Sequence, residues 1–170
     1  MQEGATQRWV LDTNAVLDWL VFDDASMRAP AARLHAGMAC WAHTGAMLDE
    51  LADVVSREVI TRRAGAAPAE LLARVEQARA AHGLLLPTAA RCAWNCADAD
   101  DQMFIDLAVH ARASLLITRD KALLALARRA AACGLRIARP AEWMPEAGFP
   151  NGTCAGPGLR PAAAGAATTR

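Results

Sequence analysis

Asp12, Glu50, Asp101 and Asp120 are the four side chains best suited to act together chemically. Each carboxylate stands where an apolar run gives way to a loop or helix start, or within a helix that would otherwise bury only apolar groups. Four like charges gathered by a fold repel one another unless protons or divalent cations neutralise them. Their types point to a metal site, and phosphodiester hydrolysis is chemistry that such a site performs well.

Taken singly, three of the four have simpler explanations. Asp12, Asp101 and Asp120 fall at helix starts, where aspartate is favoured by capping and by the helix dipole. Glu50 falls in mid-helix and lacks that explanation. Its alternative is an ion pair with Arg57 or a more distant arginine.

The elements that must position these acids alternate between strand-like and helical patterns. Residues 8–11 read as a buried strand, and 15–22 as a helix entered through Thr13 and Asn14, both good capping types. Residues 30–36 form a helix with Pro30 in its first turn and Gly37 at its end. A strand follows over 39–43. Thr44 caps the next helix, whose apolar positions Leu48, Leu51, Val55 and Val59 recur at helical spacing. Asp49 and Asp53 lie together on its solvent side. Glu50, turned about 100° from Asp49, shares a stripe with Met47 and Val54 at the edge of the core.

Residues 68–82 read as an amphipathic helix stopped by Gly83, followed by a strand over 84–86 and an irregular segment over 87–97. Residues 98–101 open a helix with Phe104, Leu107, Ala108 and Ala111 on one face. Asp101, three before Phe104, shares that inward stripe, whereas Asp106 falls on another face. Residues 115–117 are a strand ending in Thr118-Arg119-Asp120. A helix over 123–132 ends near Gly134, and 135–138 is the last strand. Such alternation predicts an α/β fold, with a central, mainly parallel sheet covered by helices. In such sheets ligands bind outside the carboxyl ends of the strands, and three of the four acids fall on that rim.

The 170 residues fit a single domain, expected over 7–145. From 146 onward the composition shifts to Gly, Ala, Pro and Thr, which predicts a disordered tail. With 54% hydrophobic and 21% charged residues, the chain has ample core material. No apolar run approaches the roughly 20 residues of a membrane span, and the first residues lack the apolar centre of a signal peptide. A cytoplasmic protein with no membrane association is expected.

Five cysteines, Cys40, Cys92, Cys96, Cys133 and Cys154, without a Cys-x-x-Cys pair argue against a disulfide framework or a zinc site. His35, His43, His82 and His110 are isolated along the chain and read as packing or surface residues. Eighteen cations balance eighteen acids, so net charge does not announce a nucleic-acid binder. Seventeen of those cations are arginine, a group suited to phosphate, although an arginine- and alanine-rich composition accounts for that equally well.

Four motifs in order carry a family resemblance: Trp9-Val10-Leu11-Asp12-Thr13-Asn14, Leu48-Asp49-Glu50-Leu51, Asp98-Ala99-Asp100-Asp101-Gln102-Met103-Phe104, and Leu116-Ile117-Thr118-Arg119-Asp120-Lys121. Together they resemble the PIN domain family, and within it the VapC-like toxins of toxin–antitoxin pairs. The resemblance implies a three-layer α/β/α sandwich and a ribonuclease dependent on one or two Mg²⁺ or Mn²⁺ ions. It makes Asp12, Glu50, Asp101 and Asp120 the metal-binding, catalytic acids, Asp98 an auxiliary ligand, and Asn14 and Thr118 site-ordering residues. Ala99 stands where proline is frequent in that branch. The implied partners are an RNA substrate and a small antitoxin protein, with a homodimer as the possible assembly.

Hard carboxylate oxygens suit Mg²⁺ or Mn²⁺ on chemical grounds as well. Other readings compete. A haloacid-dehalogenase-like phosphatase would need a second Asp where this chain has Asn14. A structure-specific DNA nuclease of related fold would need DNA-gripping segments for which 170 residues leave little room. A catalytically silent binding module of the same fold would not need all four acids.

Overall fold

The computed structural model describes residues 6–144; the tail expected over 146–170 and Cys154 lie outside the described residues. Five strands, β1 (Gln7–Leu11), β2 (Ala39–His43), β3 (Gly83–Leu85), β4 (Leu115–Ile117) and β5 (Arg136–Ala138), form one sheet. All neighbours pair in parallel, in the order β3-β2-β1-β4-β5. The chain thus starts in the middle, builds one half outward, and crosses back to build the other beside β1.

Among the described residues eight helices cover the sheet: α1 (Thr13–Leu20), α2 (Arg28–His35), α3 (Gly45–Ser56), α4 (Glu58–Ala64), α5 (Pro68–His82), α6 (Gln102–His110), α7 (Lys121–Leu124) and α8 (Ala127–Ala131). Strand side chains alternate between two cores. Trp9, Leu11, Trp41, Leu115 and Ile117 pack with Val16, Leu51, Val55, Leu71 and Val75 from α1, α3 and α5. Val10, Ala42, Leu116 and Ile137 pack with Phe104, Leu107, Leu123 and Ala130 from α6, α7 and α8. Burial on both faces explains why the strands read as unbroken apolar runs. The result is the expected three-layer α/β/α sandwich.

Several boundaries differ from expectation for local reasons. Asp12, not Thr13 or Asn14, caps α1, its carboxylate accepting the Ala15 N–H. The second helix begins at Arg28, two residues before Pro30, on the end of a 3₁₀ turn over Ala25–Met27. The helix expected to run through Val59 breaks at Arg57, whose N–H bonds the Val54 carbonyl three residues back. The Ser56 hydroxyl also bonds back to the Ala52 carbonyl at 2.8 Å. Val59 then falls on α4 and is 69% exposed. The helix expected over 123–132 is two short ones, tightened between by the Leu126 N–H bonding the Leu123 carbonyl.

Thr44 caps α3 as expected, accepting the Met47 N–H. Among the described residues no helix is long and apolar enough to cross a membrane. The position that matters for function is the junction of β1 and β4, where the strand order reverses. There the Asp12 N–H bonds the Ile117 carbonyl at 3.0 Å, extending the pairing past the end of β1. Asp12 and Thr118 therefore emerge side by side on the carboxyl rim.

Candidate functional site

Asp12 leaves β1 only 2% exposed, with both carboxylate oxygens held. One oxygen accepts the Ala15 N–H at 2.6 Å, and the other accepts the Thr118 hydroxyl and the Arg119 N–H at 3.3 Å. Thr118 is fully buried and works in two directions. Its Oγ1 donates to Asp12 and accepts the Asp120 N–H at 2.9 Å. A single hydroxyl thus couples the acid after β1 to the acid after β4. Asp120 in turn caps α7 through the Ala122 N–H at 2.6 Å.

Asp101, at the start of α6, lies close enough to Asp120, Asp98 and Asp12 for their charges to act on it. Partial burial, then the charge of Asp120 and those of Asp98 and Asp12, push Asp101 up to about 7. Burial pushes Asp12 up to about 6, against the pull of its three hydrogen bonds. The structure thus brings Asp12, Asp101 and Asp120 onto one rim, with Asp98 within electrostatic reach.

Glu50 stands at the side of this group. It is half-buried on α3 and accepts the Thr13 hydroxyl at 3.1 Å, one residue from Asp12. Burial and the Asp100 charge raise its pKa. Arg57 does not pair with it, because the Arg57 guanidinium is engaged by Asp53 at 2.7 Å. Asn14 is exposed and has no side-chain hydrogen bond among the described residues, so Thr13 takes the orienting position next to Asp12.

The donor chemistry on this rim fits a hard divalent ion. Oxygen ligands come from several elements, and the raised pKa of Asp101 beside the charges of Asp120, Asp98 and Asp12 marks an excess of negative charge that a cation would relieve. Among the described residues, no three Asp, Glu, His or Cys side chains stand as a ready-made cage. The fit is one of ligand type and shared rim.

Sequence reasoning missed three supporting groups. Arg119 donates from Nε to Asp18 at 2.5 Å and from Nη2 to Ser26 at 3.1 Å, tying the rim to α1 and the 3₁₀ turn. Asp106 and Gln102, four apart on α6, are buried. Asp106 accepts the Cys92 N–H at 2.8 Å and Gln102 Nε2 at 2.7 Å, while Gln102 also donates to the Trp94 carbonyl and accepts the Cys96 N–H. The two polar side chains replace a strand partner for the irregular segment before α6. A Gln and an Asp four apart on an otherwise apolar helix, after a long loop with unpaired backbone, was the available signal.

A family model described as the PIN domain matches residues 8–122, more than half of the chain, and the matched span includes all four acids. No curated protein and no solved structure matches significantly.

Proposed function

The chain belongs to the PIN domain family, and from that membership we propose that it is a divalent-metal-dependent endoribonuclease, the toxin of a toxin–antitoxin pair. The family is built on a nuclease-type fold, generally metal-dependent. The observation that carries the proposal is the linked set Asp12, Thr118, Asp120 and Asp101 at the reversal of strand order. Asp12, Asp101, Asp120 and Glu50 would hold the ion, with Asp98 auxiliary. One or two Mg²⁺ or Mn²⁺ ions supply charge for the phosphate oxygens and lower the pKa of an attacking water.

The chain's own groups prepare that chemistry. Three hydrogen bonds fix the Asp12 carboxylate in one orientation, so little reorganisation is needed at the rim. Thr118 keeps Asp12 and the Asp120 backbone in register, and Thr13 holds Glu50 toward the same side. Asp101, pushed up to about 7 in the metal-free protein, would hold the ion as a carboxylate and so would have to lose its proton to do so.

RNA as substrate, a small antitoxin partner and a homodimer follow from the branch that the motifs resemble. A panel of single-stranded RNA, single-stranded DNA and flap DNA, each with and without Mn²⁺, tests the substrate. Cleavage confined to RNA supports the reading, and preference for flap DNA overturns it. Growth arrest on expression, relieved by a short companion protein that co-purifies, tests the toxin role.

A further inference from the structure

The balanced net charge conceals an asymmetry. From α3 through α5, four of the five arginines are matched by acids three or four residues away, Arg57 with Asp53, Arg62 with Glu58, Arg74 with Glu70 and Arg79 with Glu76, and the fifth, Arg63, lies over the Phe22 ring. The stretch from 121 to 135, by contrast, has three cations and no acid. Lys121, Arg128 and Arg129 on α7 and α8 are exposed, and none forms an ion pair among the described residues. Arg91, exposed on the irregular segment before α6, bonds the neutral Asn95 at 3.2 Å and forms no ion pair among the described residues.

One of these cations lies over an aromatic side chain. Trp94 is half-buried, and the Arg129 guanidinium lies over its ring at 5.4 Å, joining α8 to the irregular segment. The arrangement is continuous with the acidic rim. The Trp94 carbonyl accepts Gln102 Nε2 at 2.9 Å, and Gln102 directly follows Asp101. Two residues beyond Trp94, the Cys96 thiol lies within the field of Asp101, Asp120 and Asp98. Lys121 directly follows Asp120.

A partly exposed aromatic face among unpaired cations is the arrangement by which proteins hold single-stranded nucleic acid: bases stack while phosphates meet the cations. A duplex hides its base faces and gains nothing from the ring. We infer that Trp94, with Arg91, Lys121, Arg128 and Arg129, forms the track on which a single RNA strand lies as it leaves the acidic rim, Trp94 stacking one base and the cations binding flanking phosphates. The inference deepens the ribonuclease reading and rests on it for the identity of the strand as RNA.

The test separates binding from cleavage. Fluorescence anisotropy with a labelled single-stranded RNA of mixed sequence, in EDTA, compares the full chain with Arg128→Ala/Arg129→Ala, Trp94→Leu and Trp94→Phe. Arg62→Ala/Arg74→Ala serves as the control, because it removes two arginines already matched by acids. The track predicts roughly tenfold weaker binding for Trp94→Leu and for the Arg128/Arg129 pair, near-normal binding for Trp94→Phe, and little change for the control. The slope of log affinity against log salt falls by about one for each track cation removed. If Arg128→Ala/Arg129→Ala and Trp94→Leu bind like the parent while the parent cleaves RNA, the track is wrong and the ribonuclease reading stands. If track variants lose binding but the parent cleaves no RNA with any divalent ion, the track stands and that reading falls. Equal loss in the control pair overturns the track.

Discussion

Asp12 combines the deepest burial with the most constrained geometry of the four acids, and its titration gives the sharpest prediction. Its folded pKa, about 6, lies above the ordinary aspartate value of 3.8 because burial disfavours the charged form. The folded state therefore holds this proton more tightly than the unfolded chain. The stability it contributes is full below about pH 4 and is lost as pH rises through about 6. In EDTA, the melting temperature should fall between pH 4 and pH 8, and Asp12→Asn should remove part of that fall, the remainder belonging to Asp101. Asparagine keeps the cap on Ala15 while discarding a charge whose burial costs on the order of 3 kcal/mol at pH 8. Differential scanning calorimetry at the two pH values checks both statements; a melting temperature that rises with pH would contradict them. Thr118→Val removes the donor whose bond lowers the Asp12 pKa and the acceptor for the Asp120 N–H. We expect kcat to fall about 10–100-fold and the acidic limb of the pH–rate profile to move to higher pH. An unchanged profile with reduced activity would assign Thr118 to packing alone.

Helices and strands set these side chains in place, and each has a point where a single substitution is informative. A Cβ added at Gly83, where α5 passes into β3, would lie 2.4 Å from the Arg79 carbonyl oxygen and 2.9 Å from His43 Nε2. Gly83→Ala should cost about 1–3 kcal/mol, read as a drop of roughly 2–10 °C in melting temperature. Asp106→Ala strips the Cys92 N–H of its acceptor and Gln102 of a partner. A loss of about 1–3 kcal/mol is expected, with faster amide exchange confined to the irregular segment before α6. Exchange that quickened throughout the sheet instead would contradict that anchoring role. These positions also show what the sequence made legible. The parallel sheet was readable because strands buried on both faces leave unbroken apolar runs, and caps such as Thr44 announce themselves by type. Thr118 was reached only through the family motif, while Asp106, placed off the inward stripe, is buried, and Thr13, read as a capping type, instead orients Glu50. Their roles depend on which backbone or carboxylate comes to lie opposite, and periodicity carries no record of that. The break at Arg57 was hidden for a similar reason, since side-chain bonds back to earlier carbonyls compete with a helix whose apolar spacing continues.

The two halves of the sheet meet at the β1–β4 junction, so binding at that junction should stabilise the entire fold. An ion bound only by the folded state adds about 2.7 kcal/mol at a hundred times its Kd, or roughly 5–10 °C in melting temperature for a domain of this size. The effect of Mn²⁺ should be small near pH 5 and grow toward pH 8, as protons on Asp101 and Asp12 cease to compete with the ion. Thermal shift across that range checks it, and an effect independent of pH would place the ion elsewhere. The charge distribution is also organised on this scale, with matched ion pairs along α3, α4 and α5, whereas Lys121, Arg128 and Arg129 on α7 and α8 form no ion pair among the described residues. The most direct test of the acidic rim as a nuclease centre is cleavage of single-stranded RNA by the purified full chain and by Asp12→Asn, each in Mn²⁺ and in EDTA. Cleavage by the parent in Mn²⁺ alone, with none by a folded Asp12→Asn protein, is the predicted result. Equal cleavage by both proteins, after contaminating nuclease has been excluded, would contradict it.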